Sequence, residues 1–113
     1  MAGRHDIYID QGADYAQAFA YQIDSVLVNL TGYTAAMQVR ATVESASPVL
    51  TFGVGTGLTM GGVAGTVTLA VTDAQTTALA AGAYVYDLEL TAADDTITRL
   101  VQGAFHVDGE VTR

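Results

Sequence analysis

The chain has 113 residues, half of them hydrophobic, with no cysteine, no lysine and a net charge of −8. That length suits one domain, 1–113, around a single core, and the lack of cysteine excludes disulfides, thiolate metal sites and cysteine nucleophiles. Twelve acidic residues against four scattered arginines would repel a phosphate backbone, so nucleic acid is excluded as the main partner.

Hydrophobic alternation with a period of two predicts strands along most of the chain. Ile7 and Ile9 alternate with Asp6 and Tyr8 before a break at Gln11-Gly12. Over residues 14–23, Tyr15, Phe19, Tyr21 and Ile23 fall on one face and Ala16, Ala18 and Ala20 on the other. A short strand from Val26 to Leu30 leads to a turn at Thr31-Gly32. From Tyr33 to Val43, Ala35, Met37, Val39 and Val43 point one way, while Gln38, Arg40 and Thr42 point the other. Residues 44–48 carry loop chemistry and the only proline, followed by a short strand from Val49 to Phe52.

Residues 53–65 contain six glycines, read as a flexible hairpin or exposed loop with at least one positive-φ turn. From Gly65 to Thr72, Val67, Leu69 and Val71 face inward. One helical turn is expected at 73–82, capped by Asp73 and closed by Gly82 in the left-handed region, with Leu79 packed inward. A closing hairpin follows. Its first strand buries Tyr84, Tyr86, Leu88 and Leu90; it turns at Asp94-Asp95 and returns with Val101, Phe105 and Val107 inward. Leu100 breaks that return pattern, and Gly103 is read as the mark of a bulge. These elements predict an all-β, immunoglobulin-like antiparallel β-sandwich of about seven to nine strands with one short helical turn.

The chemistry legible in the sequence favours no reaction. Gly53, Gly55 and Gly57 lack the third glycine of a dinucleotide-binding turn, and the absence of lysine excludes a P-loop. His5 and His106 approach one another if the first and last strands are neighbours, with Asp6 or Asp108 beside them, but a zinc site asks for three or four ligands. Asp94-Asp95 suits a turn, and Asp87 and Glu89 suit a solvated strand face. None of Ser25, Ser45 and Ser47 lies in a nucleophile elbow. The expectation is a non-enzyme with no cofactor and no metal. The N-terminus lacks the apolar segment of a signal peptide, and no apolar run approaches a membrane span, so a soluble protein made in a bacterial host's cytoplasm is expected.

Segments 9–21, 30–40 and 65–107 together resemble a family of small phage virion domains, similar to the N-terminal immunoglobulin-like domain of tailed-phage upper baseplate proteins. The resemblance rests on Gln11-Gly12, Leu30-Thr31-Gly32, Arg40, Gly65, Asp73, Gly82-Ala83-Tyr84, Asp94-Asp95 and Gly103-Ala104-Phe105. It implies a structural part of a virion, in the tail or baseplate, joining a fibre, spike or ring protein to the particle. Larger members of the family continue into fibre or receptor-binding regions, whereas this sequence ends at Arg113, so an adaptor role is expected. The alternatives are a head decoration protein on the capsid and, from another class, a carbohydrate-binding module with a platform of Tyr8, Tyr15 and Tyr33. Partners are expected to be other virion proteins and further copies of the chain. The candidate contact residues are Arg4, His5 and Tyr8 in the N-terminal arm, Gly55 and Gly57 in the glycine loop, and Val111 and Arg113 in the tail.

Overall fold

The computed structural model describes residues 3–109. Its strands are β1 (Gly3–Arg4), β2 (Ile7–Asp10), β3 (Tyr15–Ala20), β4 (Gln22–Ile23), β5 (Val26–Leu27), β6 (Thr34–Arg40), β7 (Leu50–Val54), β8 (Gly57–Met60), β9 (Thr66–Val71), β10 (Gly82–Thr91) and β11 (Ile97–Asp108). A 3₁₀ turn covers Gly62–Ala64, and helix α1 covers Asp73–Ala78.

The hydrogen-bonded path runs β1-β11-β10-β6-β7-β8-β9-β3, with β2 also beside β11. The path folds over between β7 and β8, giving one layer of β1/β2-β11-β10-β6-β7 and a second of β8-β9-β3. Buried side chains from both layers form one core. Ile7, Ile9, Met37, Val39, Phe52, Leu88 and Phe105 come from the first, and Phe19, Leu58, Val67, Leu69 and Val71 from the second. Each such side chain contributes about 1.5–3 kcal/mol when fully buried, so this shared core dominates stability.

The layer order is that of a variable-type immunoglobulin sandwich. Its corner between the layers carries the matching device, because the Tyr84 hydroxyl at the start of β10 donates to the Ala80 carbonyl at 2.7 Å. The fold is therefore an all-β, immunoglobulin-like sandwich. Not every pairing is antiparallel: β1 and β2 both run parallel to β11, and β7 meets β8 in a short parallel contact.

Several local expectations need correcting. Thr72, not Asp73, caps α1: its hydroxyl accepts from the Gln75 amide while Gln75 bonds back to the Thr72 amide, a reciprocal capping box. Gly82 lies at φ 153° as the first residue of β10, and Leu79 leaves the helix in an extended conformation. Val43 is 78% exposed beyond the end of β6, and the strand expected over Val26–Leu30 stops at Leu27. The bulge of the closing hairpin falls at Leu100, since Leu88 pairs with Val101 and Glu89 with Arg99. That skipped residue explains why Leu100 breaks the alternation.

The glycine segment is a structured corner rather than a flexible loop. Phe52 and Leu58, on either side of it, are buried, and Gly53 and Thr56 exchange backbone hydrogen bonds at 3.1 and 2.8 Å. Gly57 has φ 93°, and a Cβ there would sit 2.5 Å from the Phe52 ring. Only glycine satisfies both the backbone and the contact.

Candidate functional site

The N-terminal arm is fastened to the last strand. Arg4 pairs with Gln102, and Tyr8 with His106, so the first and last strands are neighbours as the two histidines require. The histidines nevertheless engage different rings. His5 meets Phe19 edge-on at 5.7 Å, whereas His106 lies flat under Tyr8 at 4.8 Å.

Asp6 is the latch of this arm. Its Oδ1 accepts the Ala104 amide at 3.0 Å and lies 3.2 Å from the Arg4 guanidinium. The Ala104 hydrogen bond holds the Asp6 carboxyl below its ordinary value against some desolvation, with Arg4, His106 and His5 adding to the effect. The Tyr86 hydroxyl donates to the His5 carbonyl, and burial raises its pKa. Gly103 is bare because the arm crosses it: a Cβ would run into the His5 carbonyl and sit 2.9 Å from Asp6 Oδ1. Gly103 thus marks a crossing rather than the expected bulge.

Of the candidate contact residues, Arg4, His5 and Tyr8 share this arm and are exposed. Gly55 and Gly57 lie at the corner beyond β7, at the other edge of the first layer from β1 and β2. Gly55 is exposed with open space where a side chain would begin, while Gly57 is half-buried against Phe52. The two groups therefore do not make one surface. Val111 and Arg113 lie outside the described residues. The three-tyrosine platform is not assembled either: Tyr15 and Tyr33 pack against the core, and Tyr8 alone of the three is exposed.

Two surfaces escaped the sequence reading. The first is the β4–β5 hairpin, a separate two-stranded sheet in which Ile23, Val26 and Leu27 are 55%, 68% and 47% exposed. Ile23, which the alternation puts on one face with Tyr15, Phe19 and Tyr21, lies instead in this separate hairpin. The signal was Asp24-Ser25, a polar pair between Gln22-Ile23 and Val26-Leu27; both residues take positive φ and make a two-residue hairpin turn. The second is a groove of about 340 Å³ on the outward face of the first layer, lined by Gln38, Arg40, Asp87, Glu89, Arg99 and Gln102. Asp87 and Glu89 do face outward, and Asp87 pairs with Arg99 at 3.4 Å. The arginines that join them come from elements far apart in sequence.

The class defined by this arrangement is an immunoglobulin-like β-sandwich with surface grooves and an exposed apolar hairpin. No family model matches the chain, and no curated protein sequence does. Among solved structures it is similar to CopC from Methylosinus trichosporium OB3b, at 15% identity and a TM-score of 0.47, over 95% of this chain and 89% of that one. It is also similar to the extracellular domain of the voltage-gated sodium channel beta4 subunit, at 10% identity and a TM-score of 0.46, over 98% of this chain and 96% of that one.

Proposed function

We propose that the protein is a non-enzymatic structural component of a tailed-phage virion, an adaptor that joins a fibre, spike or ring protein to the tail or baseplate. The observation that carries an adaptor role is the β4–β5 hairpin, which holds three aliphatic side chains in solvent on an otherwise acidic molecule. Ile23 and Val26 are cross-strand partners and share one face of the hairpin, with Leu27 on the other; exposed apolar surface of this kind marks a place where another protein sits. The hairpin is anchored at its base, where Tyr21 N–H donates to Gly65 O at 2.8 Å and Val28 N–H to Tyr21 O at 2.9 Å. It therefore presents Ile23, Val26 and Leu27 from a fixed position, which lowers the entropy cost of docking. The virion context comes from the resemblance carried by segments 9–21, 30–40 and 65–107.

Co-sedimentation of the purified chain with isolated heads and isolated tails tests this reading. Association with tails supports the adaptor, and association with heads supports capsid decoration instead. Ile23→Asp with Val26→Asp should leave the fold intact and weaken association by about tenfold or more, as expected for loss of an apolar anchor. If the wild-type chain binds neither fraction, the virion reading is wrong. Selective binding on a glycan array would favour the carbohydrate-binding reading.

A further inference from the structure

Three of the four arginines meet on one face. The strand register lays out the outward side of the first layer as a grid: Ala36, Glu89 and Arg99 form one row, Gln38, Asp87 and Gln102 the next, and Arg40, Val85 and Ala104 the third. Arg4 extends the middle row beside Gln102. The groove described above lies over these rows and continues towards Arg4 as a second depression along Val85, Gln102 and Ala104. With Asp6, Asp87 and Glu89 as its carboxylates, the patch around these rows is neutral on a chain of net charge −8, Asp10 and Asp108 lying further along β2 and β11.

Not all of these charges are matched within the chain. Arg4 pairs with Asp6 at 3.2 Å and Arg99 with Asp87 at 3.4 Å. Arg40 instead donates to two neutral acceptors, Gln38 Oε1 and the Ser45 carbonyl, both at 2.7 Å. Among the described residues, neither Arg40 nor Glu89 has an ion-pair partner. A half-buried guanidinium and a half-buried carboxylate on one face thus each lack an ion pair of their own, although Arg99 stands across from Glu89 in the register and is engaged with Asp87.

We propose that this face is a self-association surface and that its occupant is a second copy of the chain, related by a two-fold axis. Glu89 and Arg40 stand on adjacent strands, offset by four residues, or about 13 Å along the strands and about 4.8 Å across them. A two-fold axis lying in the interface, passing between Gln38 and Asp87 and inclined by about 20° to the Gln38–Asp87–Gln102 row, exchanges the Glu89 and Arg40 positions. Each Glu89 then comes over the Arg40 of the second copy, and the pair forms twice, as an isologous contact requires. An axis running along β10 instead sets Glu89 against Glu89. Asp87 meets its own mate beside the proposed axis, but its charge is already compensated by Arg99. The neutrality of the face lets two acidic molecules approach there. Self-association of this kind does not depend on the virion reading.

Sedimentation velocity over a concentration series tests it. The wild-type chain should dimerise, and more weakly at high salt because the pairs sit at a partly wet surface. Arg40→Glu and Glu89→Arg should each raise the dissociation constant by about tenfold or more, because each sets like charges against one another. An equimolar mixture of these two variants should form a heterodimer, since one copy then carries two carboxylates and the other two guanidinium groups. The doubly reversed variant should regain the homodimer. A wild-type chain that stays monomeric at every concentration overturns the proposal. So does a dimer indifferent to both reversals, or two folded variants that fail to associate with each other.

Discussion

Gly103 and Asp6 hold opposite sides of one crossing, and each fails in its own way when changed. Gly103→Ala drives a methyl group into the His5 carbonyl, and the arm must lift or β11 must bend. We expect a loss of about 1–3 kcal/mol in chemical denaturation, the usual cost of overfilling a packed site. Tyr86→Phe removes only the hydroxyl that reaches that same carbonyl, at a cost of about 1 kcal/mol. Asp6 carries a pH signature as well. Its native pKa lies below its ordinary value of 3.8, so its contribution is complete above the unfolded value and is lost as pH falls through the native one. Hydrogen-exchange protection of the Ala104 amide should therefore fall on acidification below about pH 4. In Asp6→Ala, which removes the acceptor, that protection should already be low at neutral pH and change little across the same window. Matching acid profiles in the two proteins would remove Asp6 from the latch.

Elements differ in how far local sequence determines them. The β6, β9 and β10 alternation was legible because one side chain in two meets the core, and Met37, Val39, Leu69 and Leu88 are buried as that period demands. The β4–β5 hairpin broke the pattern because two positive-φ residues turn the chain after Ile23, and no periodicity reports a turn. The glycine corner was hidden for another reason. Whether Gly57 is free or confined depends on Phe52, whose burial follows from packing between layers. Helix α1 lay within reach: Thr72 followed three residues later by Gln75 is a capping-box signature. Thr72→Ala should cost about 1 kcal/mol, read as a drop in the unfolding midpoint. The effect should spread to the β2–β3 loop, because the buried Thr76 hydroxyl accepts the Gly12 amide at 3.0 Å and Gln11 Nε2 donates to the Leu79 carbonyl at 2.7 Å.

At the scale of the whole molecule, the sandwich arranges its possible contacts. The glycine corner is set apart from the N-terminal arm, whereas the apolar hairpin adjoins the charge-neutral face, with Ile23 and Arg99 lining one depression. That arrangement was not legible in the chain. Arg4, Arg40 and Arg99 are scattered in sequence and converge only because β1, β6 and β11 flank β10 or its neighbour. Acidity away from that face should disfavour non-specific association and leave binding to the few surfaces where charge is matched or apolar.

The proposed virion role is tested most directly by imaging assembled particles of a tailed phage whose genome carries the coding sequence. The account predicts density for this sandwich at a fixed, symmetric position on the tail or baseplate, with the β4–β5 hairpin against a neighbouring protein. Purified, infectious particles that contain no copy of the chain would contradict it.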